Sequence, residues 1–159
     1  MNIKVIRACK AVLLVLLFLM VAPHFFKPKN SDAPFEQVVS QTMQDIDQNV
    51  YPQRDNQAIK RYLGLEPASY ENIAFYRTED AMNASELVIV RFRDDTQAAP
   101  FEEAVNKRME SQKKIYQGYA PEQEQLVKEG RVDIEANYAL YVVGPQARAI
   151  DKQFKESLR

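Results

Sequence analysis

Apolar residues follow three rhythms along this chain, and each rhythm predicts a different kind of element. The first is an unbroken run from Ala11 to Ala22 that continues through Phe25 and Phe26. Lys4, Arg7 and Lys10 precede it, Lys27 and Lys29 follow it, and residues 1–30 contain no acid. A basic stretch leading into an apolar one is either a cleaved export signal or a retained anchor. Cleavage requires small residues just before the cut. A cut after Ala22 puts Met20 three residues from the end and Pro23 just beyond it, while Ala33 lies far from the run and also precedes Pro34. If Val5, Ile6, Ala8 and Cys9 join the run while Arg7 and Lys10 extend toward water, it reaches the roughly 17 to 25 residues of a spanning helix. The pattern therefore predicts an uncleaved N-terminal transmembrane helix within residues 1–30. Three basic residues and the α-amine before the run, against two after it, put the N-terminus in the cytoplasm and residues 31–159 outside.

The second rhythm has helical spacing. Phe35, Val38, Val39, Thr42, Met43, Ile46 and Val50 recur at steps of three and four, and predict a helix capped by Asp32 and ended by Tyr51-Pro52. Asp55 and Gly64 bracket a shorter helix carrying Ile59, Tyr62 and Leu63. Further helices are expected over 98–117, over 121–128, and after Gly144-Pro145, where Ala147, Ile150, Phe154 and Leu158 share a face.

The third rhythm is that of strands. Segments 72–78 and 86–93 are rich in β-branched and aromatic residues, 131–135 alternate strictly, and 137–143 complete a hairpin with them. The order is α-α-β-β-α-α-β-β-α. It predicts an α+β fold of two layers, a four-stranded antiparallel sheet with helices packed on one face. The chain then divides into an anchor and linker over 1–30 and an extracytoplasmic domain over 31–159.

Composition narrows the chemistry. The 159 residues include one Cys, one His and four Gly, and they lack both GxGxxG and GxxxxGK[ST]. No internal disulfide, CxxC pair or phosphate-cradling glycine loop can form. Residues 31–159 have neither Cys nor His, which removes the usual activating base for a Ser or Cys nucleophile and the usual soft metal ligands. No cofactor and no metal site is expected. The five basic residues of 1–30 leave 16 basic residues against all 22 acidic ones, which disfavours nucleic acid and anionic headgroups as partners.

One constellation is unusual. On a wheel of about 100° per residue, Phe101, Val105, Met109, Ile115 and Tyr116 form the apolar stripe of the long helix, and Arg108 and Gln112 fall inside it. A buried guanidinium needs a carboxylate, because uncompensated desolvation costs several kcal/mol. Period two aligns Glu86 with Val88, Val90 and Phe92, so the sequence predicts a Glu86–Arg108 pair. It also orders the substitutions, with Arg108→Ala costing more than Glu86→Gln. Three roles remain open for the cluster: a buried ion pair satisfied by Gln112, a ligand or partner pocket of Glu86, Arg108, Gln112 and Tyr119, or catalysis.

Ala84-Ser85-Glu86 entering a strand, Lys107-Arg108-x-x-x-Gln112 on a long helix, Tyr119-Ala120-Pro121-x-Gln123 and a strand containing Tyr138 together resemble a domain of unknown function common in Gram-positive bacteria. The resemblance spans roughly residues 35–158. It implies a small extracytoplasmic protein of the cell envelope with an N-terminal anchor, often a lipoprotein signal, and it carries no established activity. Cys9 precedes the apolar run where a lipidated Cys would follow it, so attachment here would be by the helix itself.

The expectation is a non-enzymatic, single-pass membrane protein whose outer domain binds an envelope protein or a small ligand. The alternative is an envelope hydrolase using paired carboxylates about 5 to 9 Å apart, and a third reading is a purely structural module.

Overall fold

The computed structural model describes residues 30–159 and, before them, Lys10, Val12, Leu13, Val15, Leu16 and Phe18. The four expected strands form within two residues of their sequence bounds, as β2 (Asn72–Arg77), β3 (Glu86–Arg91), β4 (Arg131–Glu135) and β5 (Tyr138–Val143). A fifth strand, β1 (Gln53–Arg54), pairs with Phe75 and Tyr76, so the sheet has five strands rather than four. Two residues are too few to display a period. All pairs are antiparallel in the order β1-β2-β3-β5-β4.

The helices are α1 (Phe35–Thr42), α2 (Asn56–Leu63), α3 (Ala98–Tyr116), α4 (Pro121–Lys128) and α5 (Ala147–Ser157). They cover both faces of the sheet, which corrects the expected two-layer arrangement. On one face Phe75, Val88, Val90, Ala139, Tyr141 and Val143 meet α2, α3 and α4 through Ile59, Leu63, Phe101, Val105 and Val127. On the other, Ala74, Tyr76, Leu87, Ile89, Leu140 and Val142 meet α1 and α5 through Phe35, Val38, Ile150 and Phe154. Alternate residues of β3 and β5 serve alternate cores, so both strands are buried almost throughout.

Among the described residues no helix is long and apolar enough to cross a membrane. The expected transmembrane helix therefore has no counterpart there, and most of the segment it was read from lies outside the described residues. Helix α1 also departs from its pattern. It begins behind Pro34 without a side-chain cap, so Asp32 does not cap it, and it stops at Thr42. Asp47 Oδ1 accepts the Asn49 backbone N–H at 2.9 Å, a local bond that competes with helix continuation. Met43 and Ile46 still reach the core from these turns. Ile115, placed in the α3 stripe by the wheel, is instead 52% exposed near the end of that helix.

Local chemistry accounts for other boundaries. Asp55 Oδ1 accepts the Ala58 N–H at 2.8 Å and caps α2, and Gly64 closes it in the left-handed conformation. Asp94 takes the Thr96 N–H in the turn leading to α3. Gly130 permits a close approach, since a Cβ there would lie 3.0 Å from both the Val127 carbonyl oxygen and Val143 Cγ2. The turn between β4 and β5 holds the start of the domain: the Asn137 side chain accepts from Ser31 N at 2.8 Å and donates to Ser31 O at 3.1 Å.

Removing the Asp55 cap leaves an orphan N–H at the start of α2. Asp55→Ala is expected to lower stability by about 1 kcal/mol, read from the shift in a urea unfolding midpoint at constant slope.

Candidate functional site

Glu86 opens β3, the central strand, and its side chain is 0% exposed. A carboxylate in that position needs nearly every lone pair matched. Arg108 supplies two bonds from α3, Nε to Oε1 and Nη2 to Oε2, both at 2.9 Å. Tyr141 on β5 donates its hydroxyl to Oε1 at 2.8 Å. The Tyr141 oxygen also lies 3.1 Å from Gln112 Oε1. A phenol has one hydrogen, and the shorter, charge-assisted contact to Glu86 takes the larger share of it.

Gln112 and Gln123 extend the network to the backbone. Gln112 Nε2 donates to Ala84 O at 3.2 Å and Gln123 Oε1 accepts from Ala84 N at 2.9 Å. Both main-chain groups of a buried alanine are thereby satisfied by side-chain amides, which fixes the chain entering β3.

A second guanidinium faces the same carboxylate. Arg77 ends β2 directly opposite Glu86 in the ladder, with its Nε 3.5 Å from Glu86 Oε2. That nitrogen is buried and has no hydrogen-bond partner. Both guanidiniums lie against Tyr62 on α2, Arg77 at 4.8 Å and Arg108 at 5.3 Å from the ring centroid. Burial alone works against the charge on Arg108, but the hydrogen bonds and charge of Glu86 outweigh it and hold the guanidinium more basic than usual. Burial, the charge of Glu86 and the bond to it push the Tyr141 hydroxyl well above the ordinary value of 10.0.

The sequence-derived candidates thus separate. Glu86, Arg108 and Gln112 come together as expected from their spacing, whereas Tyr119 does not join them. It sits on the turn after α3, 55% exposed, against the ring of Tyr116 at 6.2 Å. The residues that spacing did not indicate are Tyr141, Arg77 and Tyr62. For Arg77 the signal was the hairpin register, which sets it across from Glu86.

Two cavities adjoin this structure. The larger is an open groove of about 630 Å³ beside α2 and the ends of β1 and β2, lined by Arg54, Arg61, Tyr62, Arg77, Asp55 and Glu79 among others. The smaller, about 260 Å³ and largely apolar, lies on the opposite face between Met43, Ile46, Tyr51, Tyr76 and Ile150. Among the described residues no group of three or more His, Cys, Asp or Glu could hold a metal ion.

A pair of carboxylates does occur, at the β4 edge. Asp151 on α5 faces Asp133 within hydrogen-bond contact, and Lys155 pairs with both. Burial and the neighbouring Asp133 raise the Asp151 pKa. These two groups are too close for the roughly 5 to 9.5 Å that glycoside hydrolysis uses, and neither lines either of the two cavities described. The carboxylate-hydrolase alternative gains no support from them.

A family model described as a domain of unknown function (DUF4358) matches residues 44–144. That span holds the Glu86 network and the groove, and it leaves out α1 and α5. No match is found among curated proteins or among solved structures.

Four substitutions test these contacts. Arg108→Ala leaves Glu86 paired with Arg77 alone, whereas Glu86→Gln leaves two guanidiniums with no counter-charge, so the order expected from sequence reverses. Each is expected to cost about 3 kcal/mol or more in urea unfolding, with Glu86→Gln the larger.

Tyr141 adds a pH dependence. Below pH 10 its phenol is protonated in both folded and unfolded chains; above that the unfolded chain releases the proton first, so stability falls as pH rises toward the folded value. Tyr141→Phe is expected to lower stability at pH 7 and to flatten the decline between about pH 10 and 11, leaving the part due to the other tyrosines. Asp151 follows the corresponding rule for a raised carboxyl: the unfolded chain ionises first, so stability falls as pH rises from 3.8 through the folded value. Asp151→Asn should therefore raise the urea midpoint at pH 7 and bring no gain near pH 3.

Proposed function

We propose that this chain, which belongs to the DUF4358 family of domains of unknown function, is a binding module that works without covalent chemistry and takes its ligand in the groove beside α2. The observation that carries the proposal is that the groove wall is held from behind. Arg77 and Tyr62 line the groove and also pack against the buried Glu86–Arg108 network. Side chains locked by packing and by a fixed polar partner are the preorganised kind that binding requires. Glu86, Arg108 and Gln112 act in this proposal as the support of the site, and Tyr119 stands apart from it.

In the same proposal the domain works outside the cytoplasm, where its partner is an envelope protein or a small ligand. Support comes from the basic and then apolar pattern of residues 1–30 and from the absence of Cys after Cys9.

A photoreactive amino acid placed at Gln57, in the groove, and at Lys152, an exposed position on α5, tests the proposal in full-length protein in intact cells. Adducts of reproducible mass from position 57 and none from 152 are the expected result. No adduct from position 57, or the same adducts from both positions, overturns it.

A further inference from the structure

We infer that the groove binds an oxyanion, a phosphate or carboxylate group of its ligand, through Arg54, Arg61 and Arg77. The inference rests on the binding role proposed above and adds the chemical class of what is bound.

Charge accounting at the groove carries the argument. Three guanidiniums crowd one aromatic ring, Arg77 at 4.8 Å, Arg108 at 5.3 Å and Arg61 at 5.5 Å from the Tyr62 centroid. Each gains from the negative face of the ring, but like charges held this close repel one another. The one buried acid among them, Glu86, gives both of its short contacts with guanidinium to Arg108. Arg77 is left at 3.5 Å, and its buried Nε makes no hydrogen bond among the described residues. Arg61 is exposed and has no acidic partner among them.

Arg54 completes the set. Its Nε donates to Arg77 O at 3.0 Å, which fixes the side chain over the end of β2. Its Nη1 lies 3.5 Å from Glu79, whose side chain is 81% exposed and free to yield the position. Asp55, the other acid in the lining, is committed to the α2 cap. Three guanidiniums and two carboxylates therefore line the groove, a surplus of one positive charge in a region of the chain where acids outnumber bases 22 to 16.

The planar donor fork of arginine fits two oxygens of a phosphate or a carboxylate at once. An oxyanion on Arg54, Arg61 and Arg77 would give the exposed Arg61 the counter-charge it lacks among the described residues and would relieve the repulsion around Tyr62. A volume of about 630 Å³ leaves room for the rest of a small ligand.

The test uses the full chain in a nonionic detergent, titrated by calorimetry with inorganic phosphate, with citrate, and with sodium chloride at matched ionic strength. A further arm replaces the free anions by the same micelles doped with phosphatidylglycerol, which separates a soluble oxyanion from a headgroup as the source. Saturable binding of phosphate, citrate or the doped micelle, absent with chloride, is expected. Arg61→Gln should weaken it about tenfold, and Glu79→Gln, which removes the competing carboxylate, should tighten it about threefold. Both positions are exposed, so neither variant depends on refolding the core. Absence of saturation with every probe, or equal binding by wild type and Arg61→Gln, overturns the inference. Groove adducts that persist beside flat titrations would reject the oxyanion and leave the binding role standing, whereas loss of both would remove the two together.

Discussion

A single buried carboxylate sets the geometry of this domain. Glu86 opens the central strand and receives donors from Arg108 on α3, Tyr141 on β5 and, at longer range, Arg77 on β2. Four elements are therefore registered against one charge. An ion pair so placed is not a source of stability by default, since an apolar replacement of equal volume is often as good. What it provides is intolerance of misplacement, because moving α3 by a fraction of a turn would strand a charge out of water. The two glutamines on Ala84 apply the same constraint to the chain just before β3.

Most of the fold was legible because its elements follow strong periods. The strict alternation of 131–135 gave the bounds of β4, and the Asp55 and Gly64 pair gave those of α2. The arrangement of layers was misjudged although its signal was present. Leu87-Val88-Ile89-Val90 and Ala139-Leu140-Tyr141-Val142-Val143 are apolar at successive positions, the mark of strands covered on both faces rather than one. With α1 and α5 amphipathic and otherwise unassigned, the second helical layer had its residues ready. Strand β1 was hidden for a different reason, since it exists only through pairing with Phe75 and Tyr76.

Within the site, spacing along a helix and along a strand found Glu86, Arg108 and Gln112, because each violates the apolar face it sits on. Arg77 violates nothing locally. It ends a strand, where a charged residue is ordinary, and gains its meaning only from the register that sets it across from Glu86. Tyr62 looked like a core residue and is one, with guanidiniums rather than aliphatic groups on much of its ring. Tyr119 shows the opposite failure: it was expected in one pocket with Glu86, Arg108 and Gln112, but the turn after α3 carries it outward.

These placements divide the labour between two groups of residues. Both oxygens of Glu86 are engaged, Arg108 spends Nε and Nη2 on them, and Gln112 is committed to Ala84. A ligand meeting these groups would have to displace bonds already made in a desolvated setting, at a cost above what new contacts of the same kind return. Arg61, which is exposed, and Arg77, whose Nε makes no hydrogen bond among the described residues, differ in standing at the open groove. The side chains that stand out in the sequence are thus the ones least able to bind, because the features that expose them to pattern analysis, burial and exact pairing, also use up their donors. In the binding role proposed for the groove, recognition falls to neighbours whose charge the fold holds in place without neutralising it.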